Sequence, residues 1–277
     1  MPLLRRSDGD PIPDLHPLRR FMPFIMPSRT ECFVLCKQQI LVAPARAFLK
    51  ELNADRPEDR QVTLFHLLLR AIAITLHERP RLNRFVAGGR LYQRRGVWIS
   101  FSGKQSIDEG SPIYTRKREF PPDENLEQMV AGLTDTLRGA RSGAQTTSDR
   151  EVGLLLRLPP FFLRLIMKGV FALNSLNMVP GGMLRGDPLF ASVFVANLGS
   201  VGIDACYHHN YEYGSIPLFI TMGRLQKAPV VSTEGVLEVK EIFELKYTYD
   251  ERVEDGLYCA RALENLKNLL ENPRRML

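Results

Sequence analysis

Apolar positions recur at two spacings along the chain, and the alternation between them predicts its elements. Glu31 to Ala43 reads as a strand. Pro44 suits the first turn of a short helix over 44–54, because its missing N–H is not needed there. After a polar loop from Asp55 to Arg60, Val62 to Glu78 is apolar nearly all round, which predicts a buried helix ending before Pro80. Phe85 to Gly103 reads as two strands joined at Gly88-Gly89. Glu124 to Arg141 is an amphipathic helix. Leu189–Leu198 and Leu218–Gly223 are buried strands. The segments around Val236 and from Lys240 to Tyr249 alternate as a hairpin, and Leu257 to Leu270 closes the chain as a second amphipathic helix. Strands and helices mix without a regular βαβ rhythm, so the expected fold is a mixed-sheet α/β sandwich, not a doubly wound nucleotide fold. Neither G-x-G-x-x-G nor a Walker pattern appears, and no internal repeat is seen.

Two segments break this pattern. Residues 1–17 are punctuated by Pro2, Pro11, Pro13 and Pro17 and read as an N-terminal arm. Glu151 to Pro180 is apolar except for a few cations, and Pro159-Pro160 divides it into two short helices. Arg164 and Lys168, four apart, share a helical face. This segment suits a buried hairpin or subunit contact, or else a helix lying on a membrane surface.

Composition narrows the class. With 277 residues, 44% hydrophobic and 25% charged, the chain can bury a core, which excludes a disordered, collagen-like or disulfide-scaffold protein. The net charge of +6 is uneven: residues 1–118 carry 21 basic and 11 acidic side chains, and residues 119–277 carry 16 and 20. A basic first part suits phosphate, nucleic acid or an anionic membrane, or simply a solvated face. There is no dense Lys/Arg run and no nucleic-acid module, so no nucleic-acid partner is expected. Cys32, Cys36, Cys206 and Cys259 form no C-x-x-C pair, which argues against zinc and for free thiols in a reducing compartment. The N-terminus lacks the apolar core of a signal peptide, and no uncharged apolar stretch is long enough to span a bilayer. A cytoplasmic location and no metal site are the expectations.

Three segments of the last third, read together, carry a family resemblance: Phe194-Val195-Ala196-Asn197-Leu198-Gly199-Ser200-Val201-Gly202, Ile216 to Gly223, and Tyr249-Asp250-Glu251-Arg252-Val253-Glu254-Asp255-Gly256. They resemble the T-I-S-N-L-G segment, the Gly-ended strand and the D-H-R-x-x-D-G segment of dihydrolipoamide acyltransferase catalytic domains. These are the core subunits of 2-oxoacid dehydrogenase complexes, with chloramphenicol acetyltransferase as a more distant relative. Val62-Thr63 and Pro80-Arg81-Leu82-Asn83 resemble the two ends of a helix in that family. The resemblance covers most of residues 18–277 and implies one chloramphenicol acetyltransferase-like sandwich, with an apolar helical insertion at about 143–187. It also implies homotrimers, which in this family assemble into cage-like cores.

The same resemblance exposes two departures. Glu251 stands where the family has the His that deprotonates a thiol. A carboxylate of pKa ~4.3 is a poor base for a thiol of pKa ~8.5, and its charge would repel a thiolate. Ala196 stands at the family's Ser, beside Asn197, and Phe194 stands at its Thr. Neither replacement can donate a hydrogen bond to an oxyanion, a loss that typically costs about 2.7–4 kcal/mol. Asp255 and Gly256 are kept. The family's Asp pairs with an early Arg, for which Arg20 is the best match and Arg19 the other possibility. His208 and His209 offer a relocated base or an ordinary packed loop. His16, His66 and His77 stand alone and receive no role. No cofactor follows from the residues themselves; CoA or acyl-CoA follows only if acyl transfer persists.

The family usually carries a lipoyl domain, and this chain begins almost directly with the catalytic-type fold, so any lipoylated partner is expected in trans. The expected function is a pseudoenzyme core or scaffold. The alternative is a CoA-dependent acyltransferase using Glu251 or His208/His209 on another acceptor.

Overall fold

A computed structural model describes residues 6–104, 108–141, 152–232 and 234–277. In chain order the elements are β1 (Gly9–Pro11), α1 (Pro17–Ile25), β2 (Phe33–Leu41), α2 (Val42–Leu52), α3 (Leu64–Glu78), β3 (Arg84–Ala87), β4 (Arg90–Arg94), β5 (Trp98–Lys104) and β6 (Ile113–Glu119). These are followed by α4 (Leu126–Arg141), α5 (Pro160–Ser175), α6 (Gly181–Gly186), β7 (Val193–Asn197), β8 (Leu218–Met222), β9 (Gln226–Val231), β10 (Leu237–Asp250) and α7 (Gly256–Glu271).

The large sheet runs β2-β10-β8-β7-β5-β6, with β9 paired to the outer half of β10. The pairs β5–β7 and β7–β8 are parallel and the others antiparallel, so the sheet is mixed. Successive strand residues point to opposite faces. On one face Val193 and Val195 of β7, Leu218 and Ile220 of β8, and Leu245 and Tyr247 of β10 are buried in the main core, together with Leu67, Ile72 and Leu76 of α3 and Leu263 and Leu266 of α7. On the other face Phe194 and Phe219 form a smaller cluster with Ala191 and Ile216, and Trp98 and Ala196 pack beside them.

Local chemistry explains where helices start. Thr63 Oγ1 accepts a hydrogen bond from His66 N at 3.3 Å, and Thr63 N donates to His66 Nδ1 at 3.1 Å, a reciprocal cap for α3. The lone His66 is therefore a capping residue. Asp255 caps α7 by accepting from Tyr258 N at 2.9 Å.

Several sequence expectations change in detail. The 1–17 arm is docked where it is described: β1 pairs with β4, which pairs with β3, making a separate three-stranded sheet. Phe85 to Gly103 holds three strands, because Gly88 and Gly89 both take positive φ and turn β3 into β4, while β5 follows another glycine turn at Gly96. β6 escaped the sequence reading because Thr115 to Glu119 is mostly charged. As an edge strand it needs no apolar alternation. The final hairpin pairs β9 with β10, and Val236 lies in its turn.

Pro159-Pro160 does divide the apolar segment, with a helical turn over 152–155 before α5. Within one chain α5 has no buried residue, and of the described part of the segment only Val179 is buried. Residues 143–151 of the insertion lie outside the described residues. Among the described residues no helix is long and apolar enough to cross a membrane.

Candidate active site

Glu251 follows directly on β10, and its backbone is fixed from several directions. Its N–H donates to Cys32 O at 2.8 Å, and its carbonyl accepts from Arg19 Nη1 at 2.9 Å. The residues on either side form a buried ion pair. Arg252 Nε donates to Asp250 Oδ1 at 2.9 Å and Nη2 to Asp250 Oδ2 at 2.7 Å, and Arg252 Nη1 reaches Met26 O at 3.0 Å. Burial alone pushes the Asp250 carboxyl up. The hydrogen bonds and charge of Arg252 outweigh it and hold the group below the usual carboxylate range. Arg29, also buried, donates to Ile216 O at 2.7 Å and adds a second guanidinium near Asp250. The turn is thus rigid while the Glu251 carboxylate accepts no hydrogen bond among the described residues.

The expected partner of Asp255 is corrected. Arg19, not Arg20, approaches it, at 3.8 Å, because Arg19 lies on the side of α1 that faces this turn. Arg20 is exposed. Arg19 also lies 3.8 Å from Glu254, a buried carboxylate that takes a 3.0 Å hydrogen bond from Arg84 and sits 3.7 Å from Arg81. Sequence reading missed Glu254 because acidic residues are seldom buried unless several cations surround them.

Ala196 lies in the middle of the sheet. Its register partners are Ser102 on β5 and Thr221 on β8, so these three side chains share a row on the face that carries Phe194 and Phe219. Thr221 Oγ1 is committed to Cys206 O at 2.6 Å. Ser102 makes no side-chain hydrogen bond among the described residues and escaped the sequence reading, since a serine inside a strand carries no motif. Asn197 Oδ1 accepts from Ser200 N at 3.1 Å and caps the following 3-10 turn.

The glycines of the two motifs have a packing reason. A Cβ on Gly199 would strike the carbonyl of Gly223, and one on Gly223 would strike Ala205 N.

His208 and His209 stack on each other at 4.7 Å, and His208 stacks on Phe219 at 4.1 Å. His208 Nδ1 lies 2.8 Å from His209 O. The pair therefore roofs the Phe194–Phe219 cluster, two residues along the strand from Ala196. Among the described residues no three His, Cys, Asp or Glu side chains gather as a metal site.

Glu251 and Ala196 do not meet within one chain. Ala196 registers with Thr221 and Thr221 with Lys246, five residues before Glu251. At ~3.4 Å per residue that offset is about 17 Å along the sheet.

Residues 191–277 match the family described as 2-oxoacid dehydrogenases acyltransferase (catalytic domain). The lipoamide acyltransferase component of the branched-chain alpha-keto acid dehydrogenase complex of Bacillus subtilis (strain 168) is 24% identical over 217 residues. That is 78% of this chain and 41% of the relative, so the chain spans less than half the relative's length. Among solved structures, the dihydrolipoamide acetyltransferase of Azotobacter vinelandii is similar at a TM-score of 0.63 and 18% identity, covering 96% of this chain and 94% of that one. The cubic core of the pyruvate dehydrogenase multienzyme complex gives 0.61 and 16%, covering 96% and 94%. Chloramphenicol acetyltransferase gives 0.53 and 12%, covering 95% and 99%. The mixed sheet with flanking helices is thus a chloramphenicol acetyltransferase-like fold. Within that class, the chain resembles the catalytic domain of the 2-oxoacid dehydrogenase acyltransferases, and its last third carries the sequence match.

Proposed function

We propose that this chain is a non-catalytic homotrimeric core of the acyltransferase type, acting as a scaffold for protein partners. One observation carries the reading: the turn that would present the family's basic His is held by buried hydrogen bonds on both sides of Glu251, yet its side chain is a carboxylate. A rigid turn with the wrong acid–base group conserves shape and loses thiol deprotonation. Ala196 removes the oxyanion donor independently.

A trimer is what the resemblance implies, because the family's sites form between subunits, and within one chain Glu251 and Ala196 lie about 17 Å apart along the sheet. The outer part of the β9–β10 hairpin supports it too, with Leu237 69% and Val239 72% exposed. Assembly of trimers into a cage extends the same proposal from the cubic core among the structural relatives. Four free thiols support a cytoplasmic setting.

The test mixes the purified protein with acetyl-CoA and dihydrolipoamide. No acetyl transfer above background is expected, and none is recovered on Glu251→Ala. Robust turnover that Glu251→Ala abolishes would overturn the reading. A second reading, acyl transfer to another acceptor, is favoured by Ser102, whose hydroxyl lies in register with Ala196. It predicts saturable CoA binding and loss of turnover in Ser102→Ala. Absence of any heat on calorimetric titration with CoA and acetyl-CoA removes it.

A further inference from the structure

The apolar segment from Val152 to Met178 presents twelve exposed large apolar side chains. In α5, Leu163, Ile166, Val170 and Asn174 recur at three- and four-residue steps, are half-buried and face the body of the molecule. The opposite side carries Phe161 at 70% exposure and Leu165 at 59%. Arg164 and Lys168 lie one turn apart beside them. From Val152 to Gly186 there is no acidic residue at all. Neither Arg164 nor Lys168 forms an ion pair among the described residues.

A second exposed helix joins this surface. Gly88 and Gly89, in the β3–β4 turn, are crowded by Ser175 at the end of α5 and by the Phe24 ring of α1 respectively. The two helices therefore flank one turn, and α1 adds exposed Phe21, Phe24 and Arg20.

We propose that α5, with α1 beside it, docks on the surface of an anionic phospholipid bilayer. A second copy of the chain is the poorer occupant. Pairing this face with itself brings cations of one sign together with no carboxylate between residues 152 and 186 to offset them. An anionic bilayer satisfies both features at once. The phenylalanine and leucine side chains enter the headgroup–acyl boundary, and Arg164 and Lys168 extend to the lipid phosphates. A helix of 16 residues spans about 24 Å, too short to cross the bilayer, so it lies in the plane. This docking does not rest on the acyltransferase reading.

The test sediments the full chain with vesicles of phosphatidylcholine alone or of equal phosphatidylcholine and phosphatidylglycerol, at 50 and 500 mM salt. Binding is expected to the anionic vesicles at low salt, with little to the neutral ones and much less at high salt. Arg164→Gln/Lys168→Gln should weaken it about 25-fold, at about fivefold per cation. Phe161→Asp/Leu165→Asp should abolish it while circular dichroism and oligomer mass, read by analytical ultracentrifugation, stay unchanged. Wild-type protein remaining in the supernatant overturns the proposal. So does an aspartate variant that still binds, or one whose oligomer dissociates, since the helix would then be a contact between copies. A monomer that binds anionic vesicles upholds the docking and removes the trimer instead.

Discussion

At Asp250 and Arg252 two opposite charges are both almost fully removed from solvent, and each depends on the other. Asp250→Asn leaves a guanidinium buried without its counter-charge, so it should cost about 3–5 kcal/mol in urea unfolding. Glu251→Gln, between them, changes a side chain that accepts no hydrogen bond, so its effect should stay within about 0.5 kcal/mol. A comparable loss in both variants contradicts the division of the turn into a structural frame and a replaceable central side chain. Asp250, Arg252 and Asp255 hold backbone, whereas the Glu251 carboxylate accepts no hydrogen bond among the described residues.

Among the elements, α3 starts at a cap that includes a titratable group whose ordinary value is strongly shifted by burial. Burial holds the His66 imidazole down at about 4, from an ordinary value of 6.5. Between those values the unfolded chain binds a proton that the folded chain does not, so stability rises with pH across pH 4–6.5 and falls on acidification. The contribution is about 3 kcal/mol over the full window. His66→Gln keeps a side chain able to accept from Thr63 N, as a glutamine does in the usual reciprocal cap. It should therefore retain stability at pH 7 and lose this part of the acid sensitivity. Urea melts at pH 4.5 and 7 measure it, and an unchanged difference between the two pH values shows that other groups are responsible.

For the whole molecule, the proposed trimer has the exposed β9–β10 hairpin as its candidate contact. Sedimentation at micromolar concentration should give three times the 31.5 kDa chain mass. Leu237→Asp/Val239→Asp should shift it to the monomer with unchanged secondary structure. A wild-type monomer at that concentration, or a double variant that still trimerises, removes the hairpin as the interface. Phe161→Asp/Leu165→Asp changes a different surface and should leave the mass unaltered.

The buried helix, the β7 and β8 strands and the closing helix were legible in the sequence, because their periodicity follows from which face meets the core. The motif glycines were legible as well, since only glycine tolerates the close approaches at Gly199 and Gly223. That Glu251 and Ala196 stand in the two motif segments is read from the residues alone. Tertiary structure alone decided that Arg19 and not Arg20 reaches Asp255, that Glu254 is buried, and that Ser102 lies level with Ala196. It alone decided that α5 of the apolar insertion buries no residue on the single chain. Each of these depends on which element lies beside which and in what register. Those contacts join residues far apart in the chain, where local periodicity carries no information about distance.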